Sequence, residues 1–419
     1  MRNSVKVLRM KRTIWYISKY FDPKTISSPG GRGWFLMEGL ADLGVQPVVI
    51  TSDSNRLIEP PKLNRKVTRE DRGGVTLFWL KTTKYQGAKS IRRILSWLHF
   101  EWNVLTFDKS NLPKPEVIVA SSLSLLSVVS GLLLKRKYNC RLVFEVRDIW
   151  PLTVVEEGGF GKRNPFVLAL SFVEKLGYKR SDAIIGTMPN LSEHVREVSG
   201  AGTPVNFVPM GVSEAHLADQ KDLDPGYAEE FLSSSKMKVV HAGTIGITNA
   251  LDVFFEAAVE LQDNPDIEFI VVGDGPLKRF YTEKYANCNN IVFAPKVNRN
   301  QVQAVLAECD VVFFSVFPSK VWDYGQSLNK VIDYMLSGNP VVASYSGFPS
   351  MVNEAKCGSF VPAGDAGALA SELKRYAAMT RSDRKLIGAR GRDWLLKNRS
   401  YDKLAKMFGD ALFSGSWHD

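Results

Sequence analysis

The chain has 419 residues, more than one hydrophobic core serves, and at about 150 residues per domain it predicts two or three domains. With 45% apolar and 23% charged residues it matches folded, water-soluble proteins, which excludes a disordered chain and a polytopic membrane protein. Its net charge of +10 is uneven: residues 1–205 hold 32 Lys and Arg against 18 Asp and Glu, which suggests either a solvated basic face or an anionic partner such as a membrane surface, a phosphorylated substrate or nucleic acid.

Short β-branched and aromatic runs alternate with helical-period stretches along the chain, the pattern of parallel sheets with crossover helices. In the first half the predicted strands are Thr13 to Ser18, Pro47 to Thr51, Val75 to Leu80, Val117 to Ala120, Arg141 to Val146, Ala183 to Gly186 and Asn206 to Val208. The uncharged run Val117 to Leu134 is as long as a short membrane span, but five serines and a glycine mark it as a buried strand entering a helix. A polar, acidic stretch, 213–236, carries a Pro-Gly turn and no strong period, so it reads as a linker. Beyond it the predicted strands are Met237 to His241, Glu268 to Val272, Ile291 to Phe293, Val311 to Val316, Val341 to Ser344 and Ser359 to Val361. Arg381 to Phe413 closes the chain as a charged helical pattern with apolar anchors that must pack on existing surface.

Cys140, Cys288, Cys309 and Cys357 are scattered without a CxxC or Cys/His cluster, so neither a zinc site nor a disulfide framework is expected, and a reducing cytosol suits the chain. No secretory signal is read at the N-terminus. Asp222-Leu-Asp224 has a metal-binding DxD look but lies in the linker, and no metal is expected.

Two doubly wound domains would hold ligands outside the carboxyl ends of their strands. The most informative segment is Tyr324 to Ser344. Leu328, Val331, Ile332, Met335 and Leu336 line one helix face, with Asn329, Lys330, Asp333 and Ser337 opposite. Backbone N–H groups around Ser327 to Lys330 would form an anion site, Lys330 adding a full charge, with Asp333 placed for vicinal hydroxyls such as a ribose's. Periodicity alone also fits an ordinary amphipathic helix. Gly273-Asp274-Gly275 and Gly243-Thr244 end strands where small residues let backbone approach a ligand, or simply turn. In the first half Ser28-Pro-Gly-Gly-Arg-Gly33 opens a helix as an anion-binding turn, with Arg32 beside it. Arg147-Asp148 ends a strand that otherwise reads as buried, and His241 reads as a core histidine or a donor contact. Lys81 to Trp102 joins a basic block, including Lys84, Lys89, Arg92 and Arg93, to an aromatic-rich helix; it fits core packing under a basic rim or a helix settling at an anionic bilayer.

Five collinear segments carry a resemblance: Phe144 to Pro151, Phe207 to Val212, Val240 to Gly246, Val271 to Pro276 and Tyr324 to Ser344. Together they resemble the GT4 group of GT-B glycosyltransferases, specifically its branch of bacterial L-fucosamine (N-acetylfucosamine) transferases of surface-polysaccharide assembly. The resemblance implies an α/β GT-B fold, two doubly wound Rossmann-like domains facing a cleft: 1–212 for the acceptor, a 213–236 linker, 237–398 for the nucleotide sugar, and 399–419 as a helix packing back on the first domain. It places Gly31, Arg32, Gly243, Thr244, Gly273, Asp274, Gly275, Ser327, Asn329, Lys330 and Asp333 at the donor, and Asp148 with Arg147 at the acceptor. Of two family carboxylates eight positions apart, Asp333 matches the second while Gly325 stands at the first, with Asp323 the candidate substitute. The function so implied is retaining, metal-independent transfer from a nucleotide diphosphate donor to a lipid-linked saccharide, without cofactor, at the cytosolic face of an anionic membrane. A nucleotide-sugar 2-epimerase of the same architecture is the closest rival. A nucleic-acid partner is not expected, because no RNP-like sheet or helix-turn-helix signature is present.

Overall fold

A computed structural model describes residues 12–25, 28, 30–55, 61–86 and 90–413. The chain forms two compact units, Met1–Pro209 with Tyr401–Asp419, and Met210–Ser400.

In the first unit the elements run β1 (Thr13–Ile17), α1 (Arg32–Asp42), β2 (Gln46–Ser52), β3 (Val67–Arg72), β4 (Val75–Leu80), α2 (Ile91–Thr106), β5 (Val117–Ser121), α3 (Ser127–Tyr138), β6 (Arg141–Val146), α4 (Leu152–Glu156), α5 (Pro165–Arg180), β7 (Ala183–Gly186), α6 (Leu191–Ser199) and β8 (Val205–Phe207). Its eight strands lie in the order β3-β4-β2-β1-β5-β6-β7-β8. All neighbours are parallel except β3, which pairs antiparallel with β4 through the Gly73-Gly74 turn. The predicted strands are present, and β3 is an addition. Its sequence, VTREDR, carries too few apolar residues to signal a strand, as an exposed edge requires. Val117 to Leu134 resolves into β5 and most of α3, both largely buried, and no helix among the described residues is long and apolar enough to cross a membrane.

The second unit runs α7 (Glu214–Ala218), α8 (Pro225–Phe231), β9 (Met237–Ala242), α9 (Asp252–Glu260), β10 (Ile267–Val272), α10 (Lys278–Lys284), β11 (Ile291–Ala294), α11 (Val302–Ala307), β12 (Val311–Ser315), α12 (Asn329–Leu336), β13 (Val341–Ser344), α13 (Met351–Ala355), β14 (Gly358–Val361), α14 (Ala366–Ala377) and α15 (Arg381–Asn398). Its sheet is parallel throughout, in the order β11-β10-β9-β12-β13-β14. These strands are buried on both faces, which is why they read as continuous apolar runs. Residues 213–236, read as a linker, fall inside this unit and hold α7 and α8, capped by Ser213 and Asp224.

The closing helical pattern is two helices. α15 stays with the second unit, while α16 (Tyr401–Phe413) belongs to the first and packs on α1. Gly39 permits that approach, since a Cβ there would lie 2.6 Å from the Ala405 methyl.

Candidate functional site

The strand order of the second sheet reverses between β9 and β12, and open α/β sheets bind ligands at that point. A polar network occupies it. Ser315, the last residue of β12, donates to the Asn249 carbonyl at 2.7 Å, and the Asn249 amide donates to the Thr244 carbonyl at 2.8 Å. The remaining Asn249 oxygen, Oδ1, accepts a hydrogen bond from Lys330 Nζ. Lys330 therefore has a neutral partner, and burial pushes its ammonium down to about 8.

α12 begins without a side-chain cap at Leu328. Gln326 Oε1 accepts the Leu328 N–H at 3.2 Å and the Leu328 carbonyl accepts from Val331, which leaves the first-turn N–H groups of Asn329 and Lys330 open. Two further polar groups nearby are under-satisfied. Gln326 Nε2 is buried with no hydrogen-bond partner, and the ring nitrogens of the fully buried His241 reach the Phe313 and Thr244 backbone without an aligned hydrogen bond. Burial and the Lys330 ammonium pull this imidazole down to about 3, so it is neutral. Buried polar atoms without partners are rare and cost about 1–3 kcal/mol each. These groups lie beside an open helix N-terminus and an amide-bonded lysine, a combination that supplies the donors and positive charge an anion would need.

Asp333, one turn further along α12, accepts from His216 Nε2 at 3.0 Å. His216 is not apparent from the sequence, because 213–236 has no strong period; Ser213, a helix N-cap directly before Glu214, is the one signal there. Ser327 is half-buried and Asn329 exposed. At Gly325 the backbone has φ +98°, which favours glycine, so the position of the family's first carboxylate is a turn, and Asp323 is exposed on the 3₁₀ turn before it.

The glycine loops require a correction. A Cβ on Gly273 would lie 1.9 Å from the Gly243 carbonyl oxygen, and one on Gly275 would lie 2.3 Å from that of Ile245. The close approach these glycines allow is therefore between the two loops themselves. Asp274 supports it, its carbonyl accepting from Ile245 and its Oδ1 from the Gly275 N–H. Gly243 and Thr244 remain exposed at the end of β9.

In the first unit the expected anion turn faces inward. The Gly31 N–H donates to the Asp22 carbonyl at 2.9 Å. Arg32 is buried with Glu145 in an ion pair whose side chains are both 0% exposed, and it donates to the carbonyls of Val208 at 2.7 Å and Pro209 at 3.4 Å. Tyr16 and Ser121 each donate to Glu145 Oε2 at 2.6 Å. Burial alone would raise the Glu145 carboxyl, but the Arg32 charge holds it below the usual range. Gly31 and Arg32 thus have internal partners. Pro29, in the same loop, lies outside the described residues. Arg147 is half-buried and acts on Glu145 through charge, and its N–H donates to Ser122 Oγ. Asp148 accepts from Trp150 Nε1 and Thr153 Oγ1, both at 2.8 Å, which ties its carboxylate to the start of α4.

A third feature lies on helices of the first unit. α2 leaves Ile91 (78%), Leu95, Leu98 and Trp102 (66%) exposed along one stripe, and Leu133 of α3 with Leu168 and Phe172 (69%) of α5 are exposed as well. α3 contacts both α2 and α5. Every carboxylate on the three helices is buried, Glu101 among three serines and Glu174 on His194, while Arg92, Arg136, Lys137, Lys175, Lys179 and Arg180 are exposed. Lys89, part of the basic block, lies outside the described residues. A cavity of about 210 Å³ by Asp224, Tyr227, Lys296 and Asn298 contains none of the expected site residues. Among the described residues no three His, Cys, Asp or Glu side chains form a metal cluster.

No curated protein matches the sequence. Solved structures match over almost the full length. The E. coli trehalose-6-phosphate protein bound with UDP-2-fluoro glucose has a TM-score of 0.72 at 13% identity, covering 96% of this chain and 98% of its own. Sucrose-phosphate synthase from Thermosynechococcus elongatus has 0.69 at 18%, with 96% and 98% covered. Anabaena HepE in complex with UDP has 0.65 at 14%, with 97% and 100% covered. Identities this low show the fold alone, which is GT-B. The family described as glycosyl transferase 4-like domain matches residues 35–211, and that described as glycosyl transferases group 1 matches 236–378. With one such match on each unit, the chain belongs to the GT4-type glycosyltransferases.

Proposed function

We propose that the protein transfers a sugar, N-acetyl-L-fucosamine being the candidate, from a nucleotide diphosphate to a lipid-linked saccharide in surface-polysaccharide assembly, with retention and without a metal. The observation that carries the donor half is the open N-terminus of α12, where Lys330 has only an amide partner and under-satisfied polar groups surround it. Such a site holds the diphosphate and stabilises the charge that grows on it as the glycosidic bond breaks. Asp333 takes the ribose hydroxyls. Retaining transfer then needs the acceptor hydroxyl positioned on the leaving-group face rather than a pair of acidic groups, and Asp148 is the candidate to orient it. UDP and a UDP sugar derivative in similarly folded proteins support a nucleotide-sugar donor. Neither matching family is described as an epimerase, and the transferase reading is preferred to that rival.

The acid-free face of α2, α3 and α5 supports attachment to an anionic membrane from the cytosolic side, where a lipid-linked acceptor resides. Its test is sedimentation with vesicles: the full chain binds those containing phosphatidylglycerol, and Leu98→Glu with Trp102→Glu releases it. Binding unchanged in this variant rejects the membrane role. The donor reading is tested by a thermal-shift screen of UDP-, GDP- and TDP-sugars. One series should stabilise the wild type and fail with Lys330→Ala and Asp333→Ala, EDTA having no effect; equal stabilisation of all three proteins rejects the site.

A further inference from the structure

His216 lies in the segment that sequence reading took for a linker, yet it binds the carboxylate expected to hold the ribose. Its Nε2 is 3.0 Å from Asp333 Oδ1, and because an ionised carboxylate only accepts, Nε2 carries the proton. Both residues are held from behind. The His216 N–H donates to its helix cap, Ser213 Oγ, at 3.1 Å, and Gln220 donates to the His216 carbonyl. Across the contact, Gln303 Nε2 donates to the Asp333 carbonyl at 2.9 Å. The side chains keep 14% and 26% exposure, so the imidazole holds Oδ1 while the carboxylate still meets solvent.

The geometry points to His216 as a positioning residue that selects ribonucleotides. Resting on the reading of Asp333 as the ribose ligand, it fixes the carboxylate so that the free edge meets the 2′- and 3′-hydroxyls together. A carboxylate offers about four lone-pair sites, and one taken by the imidazole leaves enough for both hydroxyls. Without His216 the side chain turns about its own bonds, and a two-point contact that depends on its plane is lost before a one-point contact is.

The test is calorimetric titration of the full chain with UDP against 2′-deoxy-UDP and GDP against 2′-deoxy-GDP, on wild type, His216→Ala, His216→Gln and Asp333→Asn. Wild type should prefer the ribonucleotide of one pair by about tenfold, the worth of one hydrogen bond to a charged group. Asp333→Asn should lose the preference, and His216→Ala should reduce it to about twofold with deoxynucleotide affinity unchanged. His216→Gln, whose amide N–H can reach the same oxygen, should restore it. An unchanged preference in His216→Ala, an equal loss for both nucleotides or tighter binding overturns the role of His216 but leaves Asp333 in place if Asp333→Asn still loses the preference. A preference that survives Asp333→Asn, or a wild type that shows none or binds neither pair, overturns both.

Discussion

The two units wind their sheets in related orders and treat the charges at the reversal point in opposite ways. In the first, Glu145 on β6 receives Arg32, Tyr16 and Ser121, and Arg32 also meets two carbonyls, so the cluster is closed. In the second, Lys330 meets one amide, His241 and Gln326 keep under-satisfied atoms, and α12 starts without a cap. A saturated cluster has no capacity left for a ligand, whereas an unsaturated one does. Both regions contain a cation near a helix N-terminus, and only its partners tell the roles apart.

The strongest test of that contrast is Arg32→Ala, which leaves Glu145 buried without its cation and should cost about 3–5 kcal/mol in chemical denaturation; a loss below 1 would mean the pair is dispensable. Lys330→Ala is its counterpart. Stability should not fall, because burial already disfavours this ammonium in the folded protein, while nucleotide binding weakens by about 1.5–3 kcal/mol, read by titration calorimetry. A large stability loss would make Lys330 a second structural cation.

Proton linkage sharpens the comparison further. Burial holds the Lys330 ammonium at about 8 in the folded protein, against 10.5 normally. Binding of an anion requires the charged form, so affinity should be level below pH 7 and fall by up to about tenfold per unit above 8. The sign for stability is the reverse: this depressed lysine disfavours the fold at low pH, and the deficit disappears between 8 and 10.5. Lys330→Ala should flatten the affinity profile, and a wild-type profile flat to pH 9.5 would contradict the assignment. The smallest effect is expected from Gly31→Ala. Its new methyl would touch Asp22, with a cost of about 1 kcal/mol at most and no change in nucleotide affinity; weakened binding would return Gly31 to the donor site.

The strands were legible because parallel strands buried on both faces must be apolar, and β3 was not, because an exposed edge has no such requirement. On α12 the polar face that holds Lys330 and Asp333 was legible from helix phase, opposite the buried apolar face. Arg32 was misread for a definite reason. Its position at a glycine-rich helix start carries the anion signal, while its partner, Glu145, is 113 residues away in a strand where nothing marks a buried acid. Gly273 and Gly275 show the same limit: glycine in a turn reports close approach without saying to what. For His216 the sequence offered only the Ser213 cap signal of a short helix, since the segment around it has no period of its own, and its pairing with Asp333 shows only through contact.

The second unit interrupts the first, leaving after Pro209 and handing the chain back at Tyr401. Its two ends meet within it, Val212 bridging Ser400 and donating to the Arg399 carbonyl at 2.9 Å. Excised as one cassette, Met210–Ser400 would begin and finish at neighbouring points, whereas a stop codon after Ser400 would strip the other lobe of its covering helix and bare the α1 surface beneath Tyr401, Leu404 and Phe408. Loss of α16 would therefore damage the unit built from the residues up to Pro209, not the one it follows in sequence.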